Sequence, residues 1–392
     1  MSDSKVFTLR WGIMATGHVA GRFTRDLLTD PSSRDVSDVH HLITAIASSS
    51  GLQRAATFRD DVKAPQNVKL FGSYAEMVSD PGVDIVYIAT PVSHHFQNAM
   101  MAIEAGKAVL CEKALTATAS QARILAAAAT TKGVFLLEAV WTRFFPLSST
   151  VRSLVSQGVI GTVHRVIADC SLDINLPEDG GEVDANNKLH RLLKLDLAGG
   201  AMLDLGIYSL TWIMQIMYHL QPKDHDKEKP TIVSAVNKYS TGIDETSSFI
   251  LQFPRQKAMG VGMTSLRIAS GVDFDFTAGP PIRIQGTNGE IQVFGPAFKP
   301  KSIRMITKDG NGSAQVQTDE FPIPRDEGRE NWGHGLFWEA DDCARCIRDG
   351  KLESEILPLD ESVLMMEIME KVLNDGGVKY PDAITGDIYH AH

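Results

Sequence analysis

The chain has 392 residues, 43% hydrophobic and 22% charged, with a formal net charge of −10. That length exceeds what one core usually serves, so two domains are expected, and the acidic balance argues against nucleic-acid binding, which needs a basic face. No run approaches the ~18 apolar residues of a membrane span, the start MSDSKVFTLRW lacks a signal core, and four scattered cysteines make no disulfide framework; a cytoplasmic protein with no membrane partner is expected.

Residues 1–145 alternate strand and helix. Residues 6–14 read as a strand buried on both faces, 19–28 as a helix, 42–47 as a second strand and 53–58 as helical. Ser73 and Glu76 have the spacing of a capping box that opens a short helix. Residues 83–89 are a strong strand, followed by Thr90-Pro91 and a helix over 95–105 with Gly106 at its end. Residues 108–111 are a strand, 119–131 an alanine-rich helix capped by Thr118, and 134–138 the last strand of this half. The alternation predicts an α/β Rossmann domain with a parallel sheet and right-handed crossovers.

After Pro146 the texture changes. A helix over 147–157 precedes strand-like runs at 163–168, 232–236, 248–253, 259–266, 282–286 and 291–294, with hairpin chemistry at Thr287-Asn288-Gly289. Consecutive strands without helices between them predict an α+β domain over 146–392, built on a large, mainly antiparallel, open-faced sheet. Charged stretches at 222–230 and 308–313 read as solvated loops, and 335–348 and 361–373 as late helices. Cys343 and Cys346 form a C-x-x-C pair. They lie on or beside the apolar face of the pattern Leu336, Ala340, Cys343, Ala344, Ile347, and no second ligand pair has zinc spacing, so no metal is expected.

The turn after the first strand carries Ala15, Thr16, Gly17, His18, Val19 and Ala20, which fit the dinucleotide fingerprint G-x-G-x-x-G/A with alanine at its first glycine. Gly17 admits a pyrophosphate close to the backbone, and the amides that open the next helix bind it. At the end of the second strand an NAD site usually places a carboxylate for the ribose hydroxyls. This chain has Ser48, Ser49 and Ser50, with Arg54 a turn later. Hydroxyls, amides and an arginine suit a 2′-phosphate, so the cofactor expected is NADP. The plainer reading is that the serines only cap a helix.

Lys113 follows Cys111 and Glu112 at a strand's carboxyl end, where open α/β sheets bind ligands. Asp204 and Tyr208 stand four apart within Gly199-Gly200-Ala201-Met202-Leu203-Asp204-Leu205-Gly206-Ile207-Tyr208, so on a helix they share a face. A tyrosine acts as general base in alcohol oxidation when a neighbouring ammonium stabilises its phenolate; the alternative is a capping aspartate and a core tyrosine. His95 either contacts the nicotinamide end or caps the next helix. His40 and His41 read as structural or exposed.

These residues resemble the glucose-fructose oxidoreductase/inositol dehydrogenase family over nearly the whole chain. Its Glu-Lys-Pro signature matches Glu112-Lys113-Ala114, with alanine for proline. Its Ala-Thr-Pro segment matches Ala89-Thr90-Pro91. Its Gly-Gly-x-x-x-Asp-x-Gly-x-His motif matches residues 199–208, with Tyr208 for histidine. With the run from Glu138 through Trp141 and Arg143 to Pro146, the chain is similar to the branch holding dimeric dihydrodiol dehydrogenases and fungal NADP-dependent D-xylose 1-dehydrogenases. The resemblance implies oxidation of the D-xylose C1 hydroxyl to a lactone, with Tyr208 as base, Lys113 steadying its phenolate and Asp204 orienting the sugar or Lys113. It implies cofactor contacts from Thr90, Pro91, Glu112, Trp141 and Arg143, the last alternatively a structural ion-pair partner. It also implies a homodimer through the second domain's sheet. A trans-dihydrodiol or another aldose as substrate, a nicotinamide-sensing regulator, and a redox-neutral glycosidase remain as alternatives.

Overall fold

In the computed structural model, which describes residues 6–176, 190–222, 226–273, 276–308 and 311–390, the chain forms two compact units. The first holds Met1–Trp141, Ile323–Val363 and Thr385–His392; the second holds Thr142–Pro322 and Leu364–Ile384.

The first unit runs β1 (Phe7–Met14), α1 (His18–Leu27), β2 (Val39–Ala47), α2 (Leu52–Asp61), β3 (Lys69–Phe71), α3 (Tyr74–Val78), β4 (Ile85–Ile88), α4 (His95–Glu104), β5 (Ala108–Glu112), α5 (Ala119–Lys132) and β6 (Leu136–Ala139). The six strands pair in parallel in the order β3-β2-β1-β4-β5-β6. All residues of β4, β5 and β6 are buried, as central parallel strands covered on both faces must be. Trp11 meets Phe23 edge-on at 5.2 Å, and Phe23 stacks on Tyr87 at 3.7 Å, fixing α1 to the sheet. A Cβ at Gly12 would stand 3.0 Å from the Val83 side chain, so this strand position has room for glycine.

Thr118 caps α5 as expected, its hydroxyl accepting from the Gln121 amide at 3.3 Å. Ser73 does not close a capping box: its hydroxyl makes no cap bond at α3 and lines a cleft instead.

The domain boundary differs from the sequence expectation, because residues 323–363 return to the first unit. Helix α8 (Phe337–Arg348) packs on α1, β1 and β2. Its Asp341 takes a bidentate bond from Arg34 and a contact from His41, all buried, and Arg345 and Arg348 pair with Asp38. From the segment leading into α8, the Trp332 indole donates to the buried Asp26 carboxylate of α1 at 2.7 Å, as do the amides of His334, Gly335 and Leu336. No sequence period announces this return, since it rests on single side chains about 300 residues apart. Helix α9 (Leu359–Asp375) leads into the second unit.

The second unit holds α6 (Pro146–Ser156), β7 (Val163–Asp169), α7 (Ile207–Met217), β8 (Thr231–Lys238), β9 (Asp244–Phe253), β10 (Ala258–Ser265), β11 (Ile282–Gly286), β12 (Gly289–Phe294), β13 (Ser302–Lys308) and β14 (Ala314–Glu320), then the end of α9 and α10 (Asp382–Thr385). Its eight-stranded sheet has the order β14-β13-β12-β11-β7-β10-β9-β8, antiparallel except where β7 and β10 run parallel. The expected hairpin joins β11 to β12 at residues 287–288. The stretch expected as a loop at 308–313 joins β13 to β14, its residues 309–310 outside the described residues; residues 223–225 of the 222–230 stretch are likewise outside them.

The helical run Leu195–Met217 corrects the reading that no segment is long and apolar enough for a membrane span. It passes that test, but 89% of its most apolar window is buried in its own unit, where α7 covers β7 and β10. Apolarity here serves a core.

Candidate active site

In the first unit, β1 is flanked by β2 and β4, so the strand order reverses there and leaves a crevice at the strands' carboxyl ends. A cleft of about 760 Å³ opens at that place. Ala15, Thr16 and Gly17 line it from β1, Ser48 to Ser50 from β2, Gly72 to Ala75 from β3, and Ala89, Thr90 and Pro91 from β4.

The fingerprint turn keeps its shape despite its missing glycine. Ala15 holds φ +81°, a left-handed conformation that glycine adopts without steric cost. Gly17 precedes α1 and offers no side-chain cap to it, and among the described residues no atom beyond its chain neighbours lies within 4 Å of where a Cβ on Gly17 would stand. The opening amides of α1, at His18 and Val19, therefore remain for an anion.

The serines divide their work. Ser48 is 3% exposed, and its oxygen accepts from the Ser50 amide at 3.2 Å and the Thr16 hydroxyl at 3.4 Å, so it braces the turn. Ser49 and Ser50 are exposed on the cleft. Arg54, on α2, donates to the Thr16 carbonyl at 2.7 Å. No carboxylate lines the cleft among the described residues.

His95, expected either at the nicotinamide end or as a helix cap, bonds two backbone carbonyls. It is 1% exposed, with Nδ1 2.8 Å from the Ala114 carbonyl and Nε2 2.8 Å from the Thr90 carbonyl. Burial lowers its pKa to about 4, with Lys113 adding to the shift, so a neutral ring fastens the 90 turn to the segment after Lys113. Glu112 also points inward: it accepts from the Tyr87 hydroxyl and from the Lys113 amide, and does not line the cleft. Lys113 is half-buried at the end of β5. Trp141, 6% exposed, stacks on His334 at 5.1 Å.

In the second unit, the glycine motif enters a π-helical turn, Met202–Gly206, that continues as α7. Asp204 lies on that turn and pairs with Arg191 at 3.0 Å. Tyr208, in the first turn of α7, is 6% exposed, with its ring 5.7 Å from that of Phe298. Arg143 is fully buried, and its carbonyl accepts from Arg152.

Close approach explains the glycines. At Gly200, φ +123°, a Cβ would stand 2.0 Å from Asp244 Oδ1, and at Gly199 a Cβ would stand 2.5 Å from the Leu192 carbonyl. Asp244 is fully buried, and its Oδ2 accepts from the Met202 amide at 2.6 Å and the Ser247 hydroxyl at 3.1 Å, capping the helix that carries Asp204 and Tyr208. Sequence reasoning missed Asp244, Arg191, His334 and Tyr74. Only the paired glycines signalled a close neighbour, without saying which.

A doubly wound parallel sheet with a fingerprint turn at its switch point, joined to a second unit presenting a glycine-flanked Asp/Tyr pair, defines a dinucleotide-dependent oxidoreductase. The chain belongs to the GFO/IDH/MocA oxidoreductase family: the family's NAD-binding Rossmann fold matches residues 9–139 and its C-terminal domain residues 148–292. It is 51% identical over 389 residues to the D-xylose 1-dehydrogenase (NADP(+)) of Hypocrea jecorina, covering 99% of this chain and 97% of that one. It is 32% identical over 383 residues to the trans-1,2-dihydrobenzene-1,2-diol dehydrogenase of Bos taurus, covering 95% and 98%. In fold it is similar to a levoglucosan dehydrogenase solved with NADH and levoglucosan, at TM-score 0.76 and 18% identity, covering 94% and 97%.

Proposed function

We propose that this chain oxidises the C1 hydroxyl of D-xylopyranose to D-xylonolactone with NADP+ as acceptor. The observation that carries the reading is 51% identity, over nearly the full length of both chains, to an enzyme of that activity. Lys113, Asp204 and Tyr208 are all present to perform it.

Ala15, Thr16, Gly17, His18 and Val19 would hold the pyrophosphate, Ser49, Ser50 and Arg54 the 2′-phosphate, and Thr90, Pro91, Trp141 and Arg143 the nicotinamide end. Ser48, Glu112 and His95 stand behind them as braces. When bound, the nicotinamide supplies a hydride acceptor. The phenolate oxygen of Tyr208 takes the proton of the C1 hydroxyl, and the ammonium of Lys113 favours that phenolate by its charge. Asp204, tethered by Arg191, orients the sugar hydroxyls. One row of the second unit's sheet supports a homodimer: exposed Val233 pairs with exposed Ile250, Ile250 with half-buried Val261 and Val261 with half-buried Ile167, and a second copy would cover this apolar strip. Four buried cysteines, none of them in a disulfide among the described residues, suit a reducing cytosol.

The test is an NADP+-reduction screen over pentoses, hexoses and trans-dihydrodiols. D-xylose should give the highest kcat/KM. A dihydrodiol giving the highest value would move the chain to the other activity, and no reduction with any substrate would favour a regulator.

A further inference from the structure

Ser73 and Tyr74 enter the cleft from the β3 side, opposite the serines of β2; the sequence marked Ser73 only as a helix cap and Tyr74 by no motif. Tyr74 is the first residue of α3 and is half-buried. Its hydroxyl lies 3.4 Å from Ser49 Oγ, so the phenol reaches across from the β3 turn to the β2 turn. Ser73 lies beside it at the N-cap position, yet its hydroxyl makes no cap bond and faces the same cleft. Gly72 completes the turn: a Cβ there would stand 3.6 Å from the amide nitrogen of Leu52, at the start of α2.

This end of the cleft thus gathers hydroxyls from both turns, with the Arg54 guanidinium a turn along α2 and no carboxylate among the described lining residues. Ribose hydroxyls both donate and accept, so a site built for them alone benefits from an acceptor carboxylate. A phosphate only accepts, and its oxygens call for donors from more than one side. Ser49 and Ser50 supply one side, and the phenol supplies the other.

We propose that Tyr74 is a specificity-determining residue: its hydroxyl, now resting on Ser49, turns to donate to the 2′-phosphate of NADP and so selects NADP over NAD. This rests on the NADP reading above and names the residue that enforces it.

The test is calorimetric titration of the full-length protein with 2′,5′-ADP and with 5′-AMP, which report the subsite without turnover. Wild type should bind 2′,5′-ADP far more tightly. Tyr74→Phe, which keeps the ring and removes the donor, should weaken 2′,5′-ADP roughly tenfold or more, as for loss of a hydrogen bond to a charged group, and leave 5′-AMP unchanged. Ser49→Ala should act in the same direction and keeps the idea testable if the tyrosine variant misfolds. The double variant should lose less than the two single losses added, because both groups serve one phosphate. Wild-type discrimination left intact in Tyr74→Phe, whatever Ser49→Ala does, overturns the role of Tyr74 while NADP stands. Equal binding of the two nucleotides by wild type overturns the NADP reading and this proposal with it.

Discussion

The guanidinium of Arg54 donates to the backbone carbonyl of Thr16 at 2.7 Å, tying the helix after the serine turn to the turn that follows β1. One side chain thus sets the spacing between the two turns proposed to hold the cofactor's phosphates. Arg54→Ala should therefore weaken NADP+ binding by about tenfold or more, since a charge-assisted contact is lost with its tether. NAD+ binding should fall less. Titration of both nucleotides checks this; equal losses would leave Arg54 a tether only.

Ala15 occupies a left-handed conformation that costs a residue with a Cβ roughly 1–2 kcal/mol. Ala15→Gly relieves that cost but adds about 0.4–1 kcal/mol of unfolded-chain entropy. The variant should be as stable as wild type or slightly more so in urea melts, with cofactor affinity retained. A clear loss of stability would show that the alanine methyl packs usefully.

Asp244 caps the helix that bears the Asp/Tyr pair, and burial raises its pKa to about 7. Its folded value lies above its unfolded one, so the folded state holds a proton that the unfolded state has released. The resulting stability is present below about pH 4 and is lost as pH rises through about 7. Asp244→Asn mimics the protonated form, and its amide can take the place of Oδ1, which has no hydrogen-bond partner among the described residues. Its stability-versus-pH curve should be flatter between those limits, by up to about 1.4 kcal/mol per pH unit. A curve parallel to wild type would contradict the assignment.

Asp26 collects an indole and three amides from the segment before α8. Burial raises its pKa to about 6 even though those four donors pull it down. Asp26→Ala strands the donors and should cost about 3 kcal/mol or more of unfolding free energy. It should also loosen the stack of His334 on Trp141, which tryptophan fluorescence reports. An unchanged urea midpoint would show that the segment is held by other contacts.

The parallel sheet was legible because its strands are apolar runs bounded by turn residues, and β4, β5 and β6 are buried throughout as that pattern requires. Strands β13 and β14 were missed because they are largely polar, and β14 is almost wholly exposed, so no apolar alternation marked it. The motif residues Lys113, Asp204 and Tyr208 stood out through their flanking glycines and strand ends. Asp244, Arg191 and Tyr74 did not, because each gains its place from a neighbour distant in sequence. The position of His95 after Thr90-Pro91 did not show that both its ring nitrogens face carbonyls.

The most direct test of the central claim is D-xylose-dependent formation of NADPH by wild type and by Tyr208→Phe at saturating NADP+, with NADP+ affinity measured alongside. Wild type should turn over, the variant's kcat should be lower by roughly 100-fold or more, and NADP+ affinity should be unchanged. Near-normal turnover without the phenol, or no D-xylose-dependent NADPH from wild type, would overturn the proposed function.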